Sequence, residues 1–164
     1  MTGNEGRRLL ALVPASKRLG YAVIETPNFP LDFGLIDTRK YDEIQVVGRC
    51  VDLIEWNFPD TVLLENPETD GFRRAATTRH IILKVAAAAS ARKIVVSLVD
   101  KAALRNWAAG SGEYGKLGLC RAVASELPEL QPKIPPLRRP WESEQYQMPM
   151  FEAFGMALAL RDQA

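Results

Sequence analysis

Histidine is nearly absent from this chain: among 164 residues there is one, His80. That argues against metal centres built on histidine clusters and against Ser-His-Asp catalysis. Cysteine is almost as scarce. Cys50 and Cys120 fall at apolar-type positions of helical patterns, so they read as reduced core thiols, not a disulfide or a metal pair. No apolar run approaches the roughly 20 residues of a membrane span, and the first residues lack the basic-then-apolar layout of a secretion signal. The expectation is a soluble, cytoplasmic protein with no membrane partner. No internal repeat is visible, and the net charge of +1 leaves no strong non-specific pull toward nucleic acid.

What is present suits one compact domain over residues 1–164, since 47% of the chain is apolar. Its charge is unevenly placed. Residues 41–72 hold eight acids against Arg49, a local net of −7, and residues 73–121 hold ten bases against Asp100 and Glu113, a local net of +8. A basic block of that size reads either as a polyanion-binding surface or as a solvated helix face.

The stretch Asp60–Pro67 organises the rest. Thr61-Val62-Leu63-Leu64 is too short for a buried helix and is closed off by Pro59 and Pro67, which predicts a central strand covered on both faces. It ends on Glu65. Ligands in open α/β sheets sit at the carboxyl ends of strands, so Glu65 is the first candidate for chemistry; otherwise it steps out of the core into solvent.

Around it, residues 8–13 and 19–25 predict an antiparallel pair of strands joined by a turn at Pro14–Arg18. A loop at Thr26–Pro30 and a short strand over Phe33–Asp37 complete a meander. Ile44, Val47, Val51 and Ile54 recur at helical spacing within Tyr41–Asn57. Gly71–Ala91 predicts a long helix and Lys93–Val99 a further strand. Asp100 is placed to cap the next helix, Gly110-Ser111-Gly112 breaks it, and Glu113–Leu127 is helical again. A proline-rich connector over residues 128–140 leads to an apolar helix at Phe151–Arg161. The expected class is α/β: a five-stranded mixed sheet, three antiparallel meander strands plus two parallel ones, flanked by helices.

Leu10-Ala11-Leu12-Val13-Pro14-Ala15-Ser16 followed by Gly20-Tyr21-Ala22-Val23-Ile24 resembles the opening of RuvC-type Holliday junction resolvases. Pro59–Glu65 is similar to that family's strand ending in a catalytic Glu. Lys101 to Gly110-Ser111-Gly112 and Lys116 resembles its Gly-x-Gly and Lys loop, and Phe154–Leu160 its closing helix. The resemblance spans nearly the whole chain and implies an RNase H-like fold, DNA recombination as the setting, and a dimer.

Such nucleases hold two divalent metal ions about 4 Å apart with clustered carboxylates. Under this alignment the first acid falls on Val13, Glu65 is kept, and the two helix acids fall on Phe151 and Phe154. Glu152 lies one residue out of register, about 100° around a helix. The resemblance therefore implies a degenerate catalytic centre in which Val13, Phe151 and Phe154 pack together, with no cofactor. Mg²⁺ or Mn²⁺ enters only if Glu152, with Asp32, Asp37 or Asp100, rebuilds a site around Glu65.

Nucleic-acid contacts would come from Lys17 and Arg18 in the first turn, Phe72 with Arg73 and Arg74 after Glu65, and Lys101 and Lys116 near the glycine loop. Phe72 either stacks on a base or staples the helix start. Trp107 either stacks on a base or anchors a short helix to the core, and Trp141 either pins the last helix or meets a partner. The expected function is binding of branched DNA or another structured nucleic acid without cleavage, as a homodimer or paired with another protein. The alternatives are an active Mg-dependent junction endonuclease and a protein-interaction scaffold.

Overall fold

The computed structural model describes residues 6–72, 74–134 and 147–163. Strands β1 (Arg8–Pro14), β2 (Arg18–Glu25) and β3 (Phe29–Asp37) open the chain. They are followed by α1 (Glu43–Asn57), β4 (Thr61–Glu65), α2 (Ala76–Ala91), β5 (Val95–Val99), α3 (Lys101–Ala109) and α4 (Gly115–Glu126). A 3-10 helix at Pro128–Lys133 precedes α5 (Met148–Asp162). The sheet runs β3-β2-β1-β4-β5, with β1–β2 and β2–β3 antiparallel and β1–β4 and β4–β5 parallel. The meander and the two crossover strands thus stand as expected.

Side-chain alternation along the central strands divides the core in two. Leu9, Ala11, Val13 and Leu63 face a cluster built by α3, α4 and α5, while Leu10, Leu12, Val62 and Leu64 face α1 and α2. Both faces are covered, which is why β1 and β4 read as unbroken apolar runs.

Several boundaries move. β3 starts at Phe29 inside the expected loop: its pairing with β2 shifts by one residue between Val23 and Ile24, and Pro30 is tolerated because β3 is an edge strand. Helix α1 buries Val46, Cys50, Ile54 and Asn57, leaving Ile44 76% exposed. Two apolar stripes share Ile54, and only the sheet chooses between them. Helix α2 begins at Ala76, so Gly71, Phe72, Arg74 and Ala75 lie outside it. Asp100 occupies the N-cap position of α3 without capping it; its Oδ1 accepts from Asn66 Nδ2 at 3.0 Å, tying the ends of β4 and β5. Residues 135–140 of the proline-rich connector lie outside the described residues. No helix among the described residues is long and apolar enough to cross a membrane.

Helix α5 lies across β1 and β2 with 12 of its 15 residues buried, so it is enclosed on more than one side. Gly20 makes this docking possible: a Cβ there would sit 2.3 Å from the Pro149 carbonyl carbon. Both cysteines are fully buried, and Cys120 Sγ lies 3.5 Å from Met148 Sδ. Burial pushes both thiols up to about 12, with the Glu152 charge adding to the effect at Cys120. At neutral pH both should therefore resist alkylation until the chain unfolds. Mass-resolved labelling across a urea series checks this, and labelling of either thiol in the folded chain at a free-cysteine rate would contradict the packing.

Candidate functional site

Strands β1 and β4 run side by side in register, Leu12 opposite Leu64, so Val13 and Glu65 come next at their carboxyl ends. Alternation turns both toward α5, with Ala11 and Leu63. Glu65 is only 5% exposed, which overturns the expectation that it could step out into solvent. A buried carboxylate needs a hydrogen-bonded charge partner.

That partner is Arg74, from the loop before α2. Its Nε donates to Glu65 Oε1 at 2.8 Å and its Nη2 donates to Glu152 Oε2 at 2.7 Å. One planar guanidinium thus joins two carboxylates, a geometry that the point charge of a lysine could not reproduce. The side chains of all three are largely buried.

Glu152 is therefore part of the site, contrary to the expectation that its helical offset turns it away. Because α5 is enclosed, a residue 100° from the sheet-facing Phe151 still meets protein, and the wall that it meets carries Arg74. Val13, Phe151 and Phe154 are fully buried in one apolar cluster, and the Phe154 ring lies 5.3 Å from that of Phe33.

The donor set does not fit two divalent ions. The carboxylates that converge already share a guanidinium, and the flanking positions are apolar. Asp32 accepts from the Tyr21 hydroxyl, Asp37 is clamped by Arg39, and Asp100 is held by Asn66, so none of these joins Glu65. Among the described residues no three His, Cys, Asp or Glu side chains form a metal-binding group.

The basic residues gather around two cavities that flank the ion-paired site. One, of about 260 Å³, lies between the β1–β2 turn and the start of α2 and is lined by Lys17, Arg18, Arg74 and Thr78. The other, between α3 and α4, is lined by Lys101, Arg105, Lys116 and Glu152. Phe72 is half-buried against the α1–α2 core and fixes the loop to it. Trp107 donates to Asp162 Oδ2 at 2.8 Å, which anchors α3 to α5. Arg73 and Trp141 lie outside the described residues.

Sequence reasoning missed the bridging role of Arg74, which was expected as a phosphate contact, and it did not single out Arg105 or Tyr114. The pattern Gly110-Ser111-Gly112-Glu113-Tyr114-Gly115 carried a signal for the last, an aromatic set between glycines. Breaking a buried ion pair by removing one partner costs about 3–5 kcal/mol. Arg74→Ala should approach that loss in urea unfolding, and adding Glu65→Gln and Glu152→Gln should restore part of it. An Arg74→Ala loss within the roughly 0.5 kcal/mol of an ordinary surface change would sink the bridge as a structural element.

No family model and no curated protein matches the chain. Solved structures do. RuvC from Thermus thermophilus is similar with a TM-score of 0.63 at 18% identity, covering 93% of this chain and 92% of that one. T. thermophilus RuvC in complex with Holliday junction substrate gives 0.61 at 16% identity, covering 93% and 91%. The yeast mitochondrial Holliday junction resolvase gives 0.57 at 13% identity, covering 96% and 80%. At these identities the likeness establishes the fold alone: a mixed five-stranded sheet flanked by helices, matching the RNase H-like fold of these neighbours.

Proposed function

We propose that this chain is a RuvC-like protein that binds branched or structured nucleic acid without cleaving it, as a homodimer or as a subunit of a nucleic-acid-processing assembly. The observation that carries the reading is the Arg74 guanidinium held between Glu65 and Glu152. A two-metal nuclease places dications where charge develops on the phosphate. Here the acids are already neutralised in part by a fixed side chain, and Val13, Phe151 and Phe154 supply no further ligand.

Binding draws support from the basic cavities on either side. They lie near the carboxyl end of the sheet, where α/β sheets take ligands. The fold is shared with a protein seen with Holliday junction substrate. Lys17, Arg18, Lys101, Arg105 and Lys116 supply charge for backbone phosphates, contacts that position a strand without reading its sequence. Arg74 contributes less, because two carboxylates already hold it.

One observation favours the alternative of an active endonuclease: Glu65 and Glu152 converge, and if Arg74 withdrew they could share a Mg²⁺ or Mn²⁺ ion. The test is a four-way DNA junction titrated with the protein at several salt concentrations, with and without Mg²⁺ or Mn²⁺. Affinity should fall linearly in log salt with a slope near 0.9 per neutralised phosphate, and the junction should stay intact. Charge reversal at Lys17, Arg18 and Lys116 should weaken binding at least tenfold with the thermal midpoint nearly unchanged. Metal-dependent cleavage would establish the nuclease instead, and no binding even at low salt would leave a protein-interaction scaffold.

A further inference from the structure

The cavity between α3 and α4 has a volume of about 280 Å³ and an unusual division of chemistry. Its floor is apolar, made by Leu104, Ala108, Leu119 and Met148, while Lys101, Arg105 and Lys116 stand around it. Tyr114 lines it too, 74% exposed and set close to two glycines in the left-handed region, Gly112 (φ +78°) and Gly115 (φ +74°). The two acids in the lining face cations of their own: Glu113 lies 3.8 Å from Arg121, and Glu152 is bound by Arg74.

An inorganic anion could satisfy the lysines but would sit over a floor that offers it nothing. An acyl chain would suit the floor but would have to cross a charged rim. A nucleotide matches both parts, since its base is flat and largely apolar on its faces while its phosphate is anionic. The volume falls just below the roughly 300–1,000 Å³ of ordinary ligand pockets, which suits a single base.

We propose that this cavity receives one unstacked base of a bound nucleic-acid strand. The flanking phosphates lie on Lys101, Arg105 and Lys116, and Tyr114 stacks on the base next in line. This rests on the nucleic-acid-binding reading and adds to it a defined base site. Branched substrates fit because a base at a junction costs less to unstack than one inside a duplex. The phosphate contacts set the register of the bound strand.

The probe is a four-way DNA junction carrying 2-aminopurine at the branch point, whose fluorescence rises when the base leaves its stack. Wild-type protein should raise the signal on binding. Ala108→Leu, which fills the cavity, should abolish the rise. Tyr114→Ala removes an exposed side chain and should weaken junction binding about tenfold, the scale of one lost base stack, without moving the thermal midpoint. If Ala108→Leu fails to fold, Tyr114→Ala decides by itself. Tight binding with no fluorescence change, or with Tyr114→Ala behaving as wild type, would overturn the base site while leaving nucleic-acid binding intact. No binding of the junction at low salt would overturn both.

Discussion

A guanidinium fixed between two buried carboxylates is the constraint on which the carboxyl end of this sheet depends. Arg74 belongs to the loop after β4, Glu65 to the end of β4 and Glu152 to the first turns of α5, so β4 and the loop that follows it are fixed to the last helix at one point. Burying an ion pair gives little net stability, because desolvation offsets most of the Coulombic gain. In the observed register of α5 on the sheet, Arg74 satisfies both acids. A shifted register would strand a carboxylate in the core, at a cost of several kcal/mol.

Apolar neighbours sharpen that constraint. Val13, Phe151 and Phe154 belong to one apolar cluster on the face of the sheet toward which Glu65 turns. Burial of the three charged side chains strengthens each charge-assisted hydrogen bond and raises the penalty for leaving any of them unmade. The close approach of α5 through Gly20 belongs to the same arrangement, since a larger residue there would push Pro149, and the helix start with it, off the sheet. A metal centre asks for the opposite surroundings: several carboxylates, an open coordination position and access for water.

Most of the fold was legible because it rests on local periodicity. Unbroken apolar runs marked β1 and β4 as central, and the change to helical spacing after Tyr41 marked α1. Legibility failed where a neighbour decides. The buried stripe of α1 depends on which way the sheet faces, and β3 could be seen through Pro30 only by knowing that it is an edge. The site followed the same rule. Glu65 stood out as an acid at a strand end, but its partner lies in a loop that had been read as helix, and Glu152 was judged against one wall of a helix that has several. A contact between residues 74 and 152 leaves no periodic trace in the sequence.

The charge arrangement follows from the same bridge. Because Arg74 is held by two acids, it separates the basic cavity at Lys17 and Arg18 from the one at Lys101, Arg105 and Lys116 without adding a full positive charge between them. On the proposed reading, a strand laid across both would meet cations at its two contacts and, between them, one guanidinium set against two carboxylates. With an overall charge of only +1, long-range non-specific attraction to a polyanion is weak. On the proposed reading, the acids serve geometry in place of metal chemistry: the two carboxylates hold one guanidinium in place at the carboxyl end of the sheet.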